Sequence, residues 1–183
     1  MEPLQENNFR QIFIANNKKV FNISLNIVQC IEDAEDITQE VFIEVYHSLH
    51  LFKEESAVST WIYRIAVNKS LDFLRAKKRK KRFAFITQLF HPESGEQLHE
   101  VSHFDHPGVV LENKERSQIL FATVNKLPGN QKAAFVLRKI EGFPQKEVAQ
   151  IMSLSEKAVE SLLQRAKENL KKLLGNYYHG RGI

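Results

Sequence analysis

The stretch Ser59-Thr60-Trp61-Ile62-Tyr63-Arg64-Ile65-Ala66-Val67-Asn68, continued through Leu71, Asp72 and Arg75 into Lys77-Lys78-Arg79-Lys80-Lys81-Arg82, decides the reading of this chain. It contains neither Gly nor Pro and fits one long helix. At about 100° per residue, Trp61, Arg64, Asn68, Asp72 and Arg75 fall along a single stripe. Ile62, Ile65, Ala66, Val67, Leu71, Phe73 and Leu74 fill most of the remaining circumference, and a helix apolar over so wide an arc must be packed on several sides. What stays outside is an aromatic ring, guanidinium groups and a carboxamide in a row, a set that stacks on bases and holds phosphates. A solvated face with one half-buried Trp is the plainer account of the same stripe.

Charge is unevenly spread around that helix. The 183 residues carry a net charge of +4, a modest basic bias that suits an anionic partner. From Arg75 to Arg82 every position but Ala76 is basic, whereas no Lys or Arg occurs from Phe83 to Asn113. That interval holds Glu93, Glu96, Glu100, Asp105 and Glu112, together with the turn signals Pro92, Ser94-Gly95 and Pro107-Gly108. It reads as an irregular acidic linker over residues 83–108, between an amino-terminal domain, 1–82, and a carboxy-terminal domain, 109–183.

Helical periodicity dominates both domains, so the fold class is all-α, with four helices expected on each side of the linker. Asn8–Asn16 and Lys18–Ile31 read as two helices. Asp33 suits the cap of a third, with Glu35 and Asp36 in its electropositive first turn. That helix runs to about His50 and turns Ala34, Ile37, Val41, Val45 and Leu49 to a core. Lys53-Glu54-Glu55-Ser56 then joins it to the basic helix, a connection short enough to demand antiparallel packing. The single Cys30 forms no internal disulfide and reads as a small buried side chain in a reducing compartment. No leader-like segment and no apolar run of membrane-spanning length occurs, so a cytoplasmic protein without membrane insertion is expected.

In the carboxy-terminal domain a helix from Val109 to about Lys126 precedes Pro128, which opens a second helix ending at Gly142. Pro144 opens a short third helix, Gln145 to Met152. Ser153-Leu154-Ser155 makes a brief turn, and Ser155 is a good N-cap for the last helix. Val159, Leu162, Leu163, Ala166, Leu170 and Leu173 line one side of that helix. Lys157, Glu160, Ser161, Gln164, Glu168 and Lys171 line the other, with Arg165 at its edge. A short helix, a three-residue turn and a longer helix with polar side chains near its N-terminus form a helix-turn-helix signature.

These segments together resemble a bacterial RNA polymerase sigma factor of the extracytoplasmic-function class. The resemblance rests on Asp33-Ala34-Glu35-Asp36-Ile37-Thr38-Gln39-Glu40-Val41-Phe42, on Phe52, and on the Ser59–Asn68 stretch with Leu71-Asp72 and Arg75. It continues in Leu127-Pro128, in Gly142-Phe143-Pro144-Gln145-Lys146-Glu147-Val148-Ala149, and in Ala158-Val159-Glu160-Ser161-Leu162-Leu163-Gln164-Arg165-Ala166. It spans nearly the whole chain outside the linker, in order. Three features depart from the family pattern: Val58 where Phe is frequent, a short Gln29–Glu32 connection, and Gly129-Asn130 after Pro128.

The resemblance implies roles. Asp36, Gln39, Glu40 and Glu44 would face the clamp helices of core RNA polymerase, although an ordinary solvated face has the same spacing. Trp61, Arg64, Asn68 and Arg75 would contact the separated −10 promoter strand, with Trp61 and the Phe52–Val58 loop receiving a flipped base. Lys77 to Arg82 would track phosphates. Lys157, Glu160, Ser161, Gln164 and Arg165 would contact the −35 duplex. Glu160 would either accept from cytosine N4 or orient a neighbouring cation. The linker would thread the polymerase or serve as a plain tether. An anti-sigma factor is the further partner implied, and no cofactor.

Rival functions find less support. His99, His103, His106 and Asp105 have spacings open to zinc but lie in the irregular linker. No phosphate-cradling Gly loop and no nucleophile constellation occurs, so no enzyme is expected. A helix-turn-helix regulator acting on DNA alone, with an amino-terminal interaction domain, is the alternative. Such a duplex reader has no use for Trp61 and its basic stripe.

Overall fold

The computed structural model describes residues 3–52, 56–90 and 114–179, with side chains over 8–52, 56–84 and 117–175. Helix α1 spans Pro3–Val28 and α2 Ile31–Ser48, followed by a 3-10 turn at Leu49–Leu51. Helix α3 spans Val58–Phe90, α4 Lys114–Asn125 and α5 Gly129–Phe135, which runs on into a π turn, Val136–Ile140. Helices α6, Gln145–Met152, and α7, Glu156–His179, complete the order. The described residues are all-α, as the periodicity predicts. The His99, His103, His106 and Asp105 set and most of the expected linker lie outside the described residues.

Three boundaries differ from the sequence reading. Helix α1 is continuous where two helices were expected. Asn residues tend to break helices by bonding local backbone, but Asn16 donates along its own helix to Ile12 O over 2.8 Å and accepts from Tyr63 Oη over 3.1 Å. Its polarity is satisfied without a break. Helix α2 begins at Ile31, not at Asp33, and its N-cap is Cys30. Gln29 adopts a left-handed φ of 57°, which ends α1 and reverses the chain at once. Asp33 therefore lies inside the first turn, and its carboxylate accepts from Lys77 Nζ at 2.8 Å. Cys30 is half-exposed rather than buried, with Sγ 3.0 Å from Glu32 Oε2. Helix α3 runs to Phe90, past the expected end of the basic run, because neither Gly nor Pro interrupts it before Pro92.

Ion pairs show how α2 and α3 run. Lys77 reaches Asp33 while Lys69, eight positions earlier, reaches Glu40 and Glu44, so the two helices are antiparallel. Ala34, Ile37, Val41 and Val45 of α2 meet Ile62, Ile65, Ala66, Val67 and Leu71 of α3 in one buried core, which Val20, Ile23, Leu25 and Ile27 of α1 close. That core does not stop at the amino-terminal helices. Ala133, Val136, Leu137, Phe143, Val148, Ala149, Ile151 and Val159 belong to the same continuous cluster. A second, smaller cluster of Val124, Leu127, Ala166 and Leu170 holds α4 to α7.

Candidate nucleic-acid interface

The stripe on α3 is half-buried at Trp61 and Arg64 and open only along its later part. Trp61 is half-buried, its ring tilted 36° to that of Phe52 at 5.2 Å, so the indole anchors α3 while part of it stays accessible. Asn68, Asp72 and Arg75 are exposed, and Arg75 is paired with Asp72. Arg64 is not free: its guanidinium donates to Gln150 O over 2.8 Å. Four successive charged residues beyond Lys77, from Lys78 to Lys81, are exposed, a positive extension of the same helix.

The helix-turn-helix forms where expected. Ser153 takes a φ of 54° at the end of α6, and Ser155 Oγ accepts from Ala158 N over 3.2 Å as the N-cap of α7. Gln145 Nε2 donates to Glu156 O over 3.2 Å and fixes the start of α6 against the start of α7. Lys157, Glu160, Ser161, Gln164 and Arg165 are all exposed on one face of α7. Gln164 donates to Glu168 over 2.9 Å, and Ser161 Oγ to Lys157 O over 3.0 Å, contacts that a base edge or phosphate can displace. Val159, Ala166 and Leu170 on the opposite side are buried.

Asp36, Gln39, Glu40 and Glu44 are exposed along α2, a third surface well apart in sequence. The sequence reading missed neighbours of two of these surfaces. Ile43 and Tyr46 are exposed beside the acidic row, and Ile43 sits at the i+3 and i+4 positions from Glu40 and Gln39, so spacing alone points to it. Arg138, Lys139 and Gln145 line the groove along the α7 reading face. The signal for the first two was a basic pair a few residues ahead of Gly142, which takes a φ of 79°.

Both halves of the chain match known protein families. Residues 12–80 match the Sigma-70 region 2 family, and residues 117–170 match Sigma-70, region 4. The chain is 36% identical over 138 residues to the ECF RNA polymerase sigma-E factor of Escherichia coli K12, covering 74% of this chain and 71% of that one. It is 34% identical over 141 residues to the sigma-E factor of Haemophilus influenzae, covering 76% and 73%. The fold is similar to that of CnrH, solved in complex with the cytosolic domain of CnrY, at TM-score 0.64 and 22% identity over 93% of this chain and 89% of that one. It is likewise similar to RpoE of Bartonella quintana, solved with the anti-sigma factor NepR, at TM-score 0.64 and 18% identity over 92% and 97%. The chain belongs to the extracytoplasmic-function sigma factors, the class that directs RNA polymerase to initiate transcription at specific promoters.

Proposed function

We propose that this chain divides promoter recognition between two modules, residues 1–82 and 109–183, joined by the acidic stretch 83–108. The α3 face of Trp61, Arg64, Asn68 and Arg75 grips the separated −10 strand. The α7 face of Lys157, Glu160, Ser161, Gln164 and Arg165 grips the −35 element as intact duplex. Asp36, Gln39, Glu40 and Glu44 of α2 dock on core polymerase. The observation that carries this reading is the half-buried Trp61 on Phe52, at the head of a polar and cationic row. An aromatic so placed has a firm base and an accessible part, suited to stacking an unpaired base and of no use to a reader of closed duplex. That favours a sigma factor over a regulator acting on DNA alone.

The chain acts stoichiometrically and the polymerase performs the chemistry, as sigma factors are non-enzymatic regulators. Among the described residues no helix is long and apolar enough to cross a membrane. Action with bacterial polymerase supports a cytoplasmic location as part of the same proposal. An anti-sigma factor is a further partner, a proposal supported by the CnrY and NepR complexes of the structural relatives. Reconstitution with bacterial core polymerase tests the whole reading. Promoter-dependent transcripts, with permanganate-reactive thymines over the −10 element, are expected. Promoter binding without core enzyme, or no association with core, would favour the stand-alone regulator.

A further inference from the structure

Helix α3 outlasts the core it packs into. Leu71 is its last buried residue among those described, and every residue from Lys77 to Phe83 is exposed. Seven consecutive exposed residues span nearly two turns and therefore the whole circumference, so the helix projects free of the body there. It continues to Phe90, about 21 Å from Lys77 at ~1.5 Å per residue. Two cations at the root of this projection are already matched: Lys77 Nζ lies 2.8 Å from Asp33 Oδ2, and Arg75 is paired with Asp72. Lys78, Arg79, Lys80, Lys81 and Arg82 form no ion pair among the described residues. Lys78 with Lys81, Lys78 with Arg82 and Arg79 with Arg82 stand at i, i+3 or i, i+4 spacing, where like charges repel. A polyanion relieves that repulsion.

The last two turns of the helix decide between polyanions. No Lys or Arg follows Arg82 there, whereas Phe83, Phe85, Ile86, Leu89 and Phe90 do. At about 100° per residue these five positions fall within roughly 160° of the circumference, and Ala84, Thr87 and Gln88 take the rest. Phe83 is 72% exposed. A duplex backbone answers the cations but offers an apolar arc of this size nothing to bury against. The surface of an anionic bilayer answers both, with headgroup phosphates for the cations and the upper acyl chains for the arc.

We propose that the projecting end of α3, Lys77–Phe90, docks on an anionic lipid bilayer: Lys78 to Arg82 hold the headgroup phosphates while the arc from Phe83 to Phe90 lies among the upper acyl chains. The chain lies on the membrane and does not cross it. Neither signal suffices alone, since two apolar turns bury little and a basic run by itself is released by salt. Lipid and duplex phosphates then compete for one basic run, so a chain held on the bilayer has that run withdrawn from DNA. The inference does not depend on the promoter contacts proposed above.

Flotation of the full-length protein with vesicles tests this, comparing phosphatidylglycerol mixed into phosphatidylcholine with phosphatidylcholine alone. The parent should float with the anionic vesicles and stay behind with the neutral ones. Lys78→Gln with Lys81→Gln should weaken that binding roughly 30-fold, about fivefold for each cation removed. Phe83→Gln with Phe90→Gln keeps good helix formers and should weaken it at least about tenfold, whereas Phe83→Leu with Phe90→Leu should bind like the parent. All these positions lie beyond the buried core, so Tm should not move. A duplex of arbitrary sequence is the second arm. The paired Lys variant should weaken on it, and the paired Phe→Gln variant should not. No preference of the parent for anionic vesicles would overturn the proposal. Vesicle binding untouched by Phe→Gln would also overturn it, reducing the run to a general polyanion contact. Equal loss on vesicles and duplex in the Phe→Gln variant would do the same, because the arc would then serve the helix itself.

Discussion

The ammonium of Lys69 on α3 stands 3.0 Å from the Glu44 carboxylate of α2, and 3.5 Å from that of Glu40. Burial alone would lower the Lys69 pKa, but Glu44 and then Glu40 outweigh it and hold the ammonium above its ordinary value. Both carboxylates are largely exposed, so the tie contributes less than about 1 kcal/mol to stability. Its larger effect is on the field of the α2 face, where it offsets part of the negative charge of the row proposed to dock on polymerase. Lys69→Ala should leave Tm within about 4 °C of the parent. It should speed association with core polymerase about two- to fivefold at low salt, an advantage that fades as salt rises. Glu44→Lys should slow association. Stopped-flow rates identical in all three proteins would place the polymerase contact elsewhere.

Trp61→Ala removes the ring partner of Phe52 and, in the proposed function, a stacking platform. Loss of base stacking is worth about 1–3 kcal/mol, so open-complex formation should fall by roughly 5- to 100-fold. A promoter already mismatched over the −10 element should recover most of that loss, because the work of strand separation has been removed. Trp61→Phe should sit between. If the mismatched template recovers nothing, the indole acts by holding α3 in place, and Tm should then fall in step with activity.

If the α7 face grips duplex as proposed, its residues divide between positioning and reading. Arg165→Ala should weaken −35 duplex binding about equally across sequences and reduce the slope of log affinity against log salt by about one. Glu160→Gln should instead relax discrimination at one base pair by about 1–3 kcal/mol if the carboxylate accepts from cytosine N4. A Glu160→Gln variant that changes affinity uniformly would make Glu160 an orienter of a neighbouring cation. Filter binding over a set of single-base substitutions distinguishes the two.

Much of this was legible in the residue order, and the exceptions share a physical cause. The α3 stripe, the α7 reading face and the buried rows of α2 follow from helical spacing, since a 3.6-residue period sorts faces without knowledge of neighbours. The continuity of α1 was not legible, because Asn16 is a helix breaker until Tyr63, 47 positions away, donates its hydroxyl proton to Asn16 Oδ1. The start of α2 escaped because Gln29 holds a left-handed φ of 57° that usually belongs to Gly or Asn. Its side-chain bond to Phe121 O, 92 positions on, helps keep it there. The seating of Arg64 on Gln150 is likewise a contact between halves, and periodicity within one helix carries no information about it.

Lys132 makes the packing of the halves titratable. The residue is 2% exposed, its ammonium is bonded to Asn125 Oδ1 at 2.7 Å and Ile27 O at 3.3 Å, and burial lowers its pKa from 10.5 to about 8. Between those values the folded chain binds fewer protons at this site than the unfolded chain, so Lys132 makes stability rise with pH there, by at most about 1.4 kcal/mol per pH unit. Below about pH 8 the full cost of the buried charge is present, and above the unfolded value it is gone. Lys132→Met removes the titration but leaves Asn125 Oδ1 and Ile27 O without their donor, so its midpoint at neutral pH reflects two opposed effects. The diagnostic quantity is therefore the slope. Urea denaturation of parent and variant from pH 7 to 10 should give a difference between the two proteins that grows with pH above about 8 in the parent's favour. Other lysines and the tyrosines titrate in both proteins alike and cancel in that difference. Parallel curves would mean that Lys132 is hydrated in solution, which would separate α5 from the carbonyl end of α1.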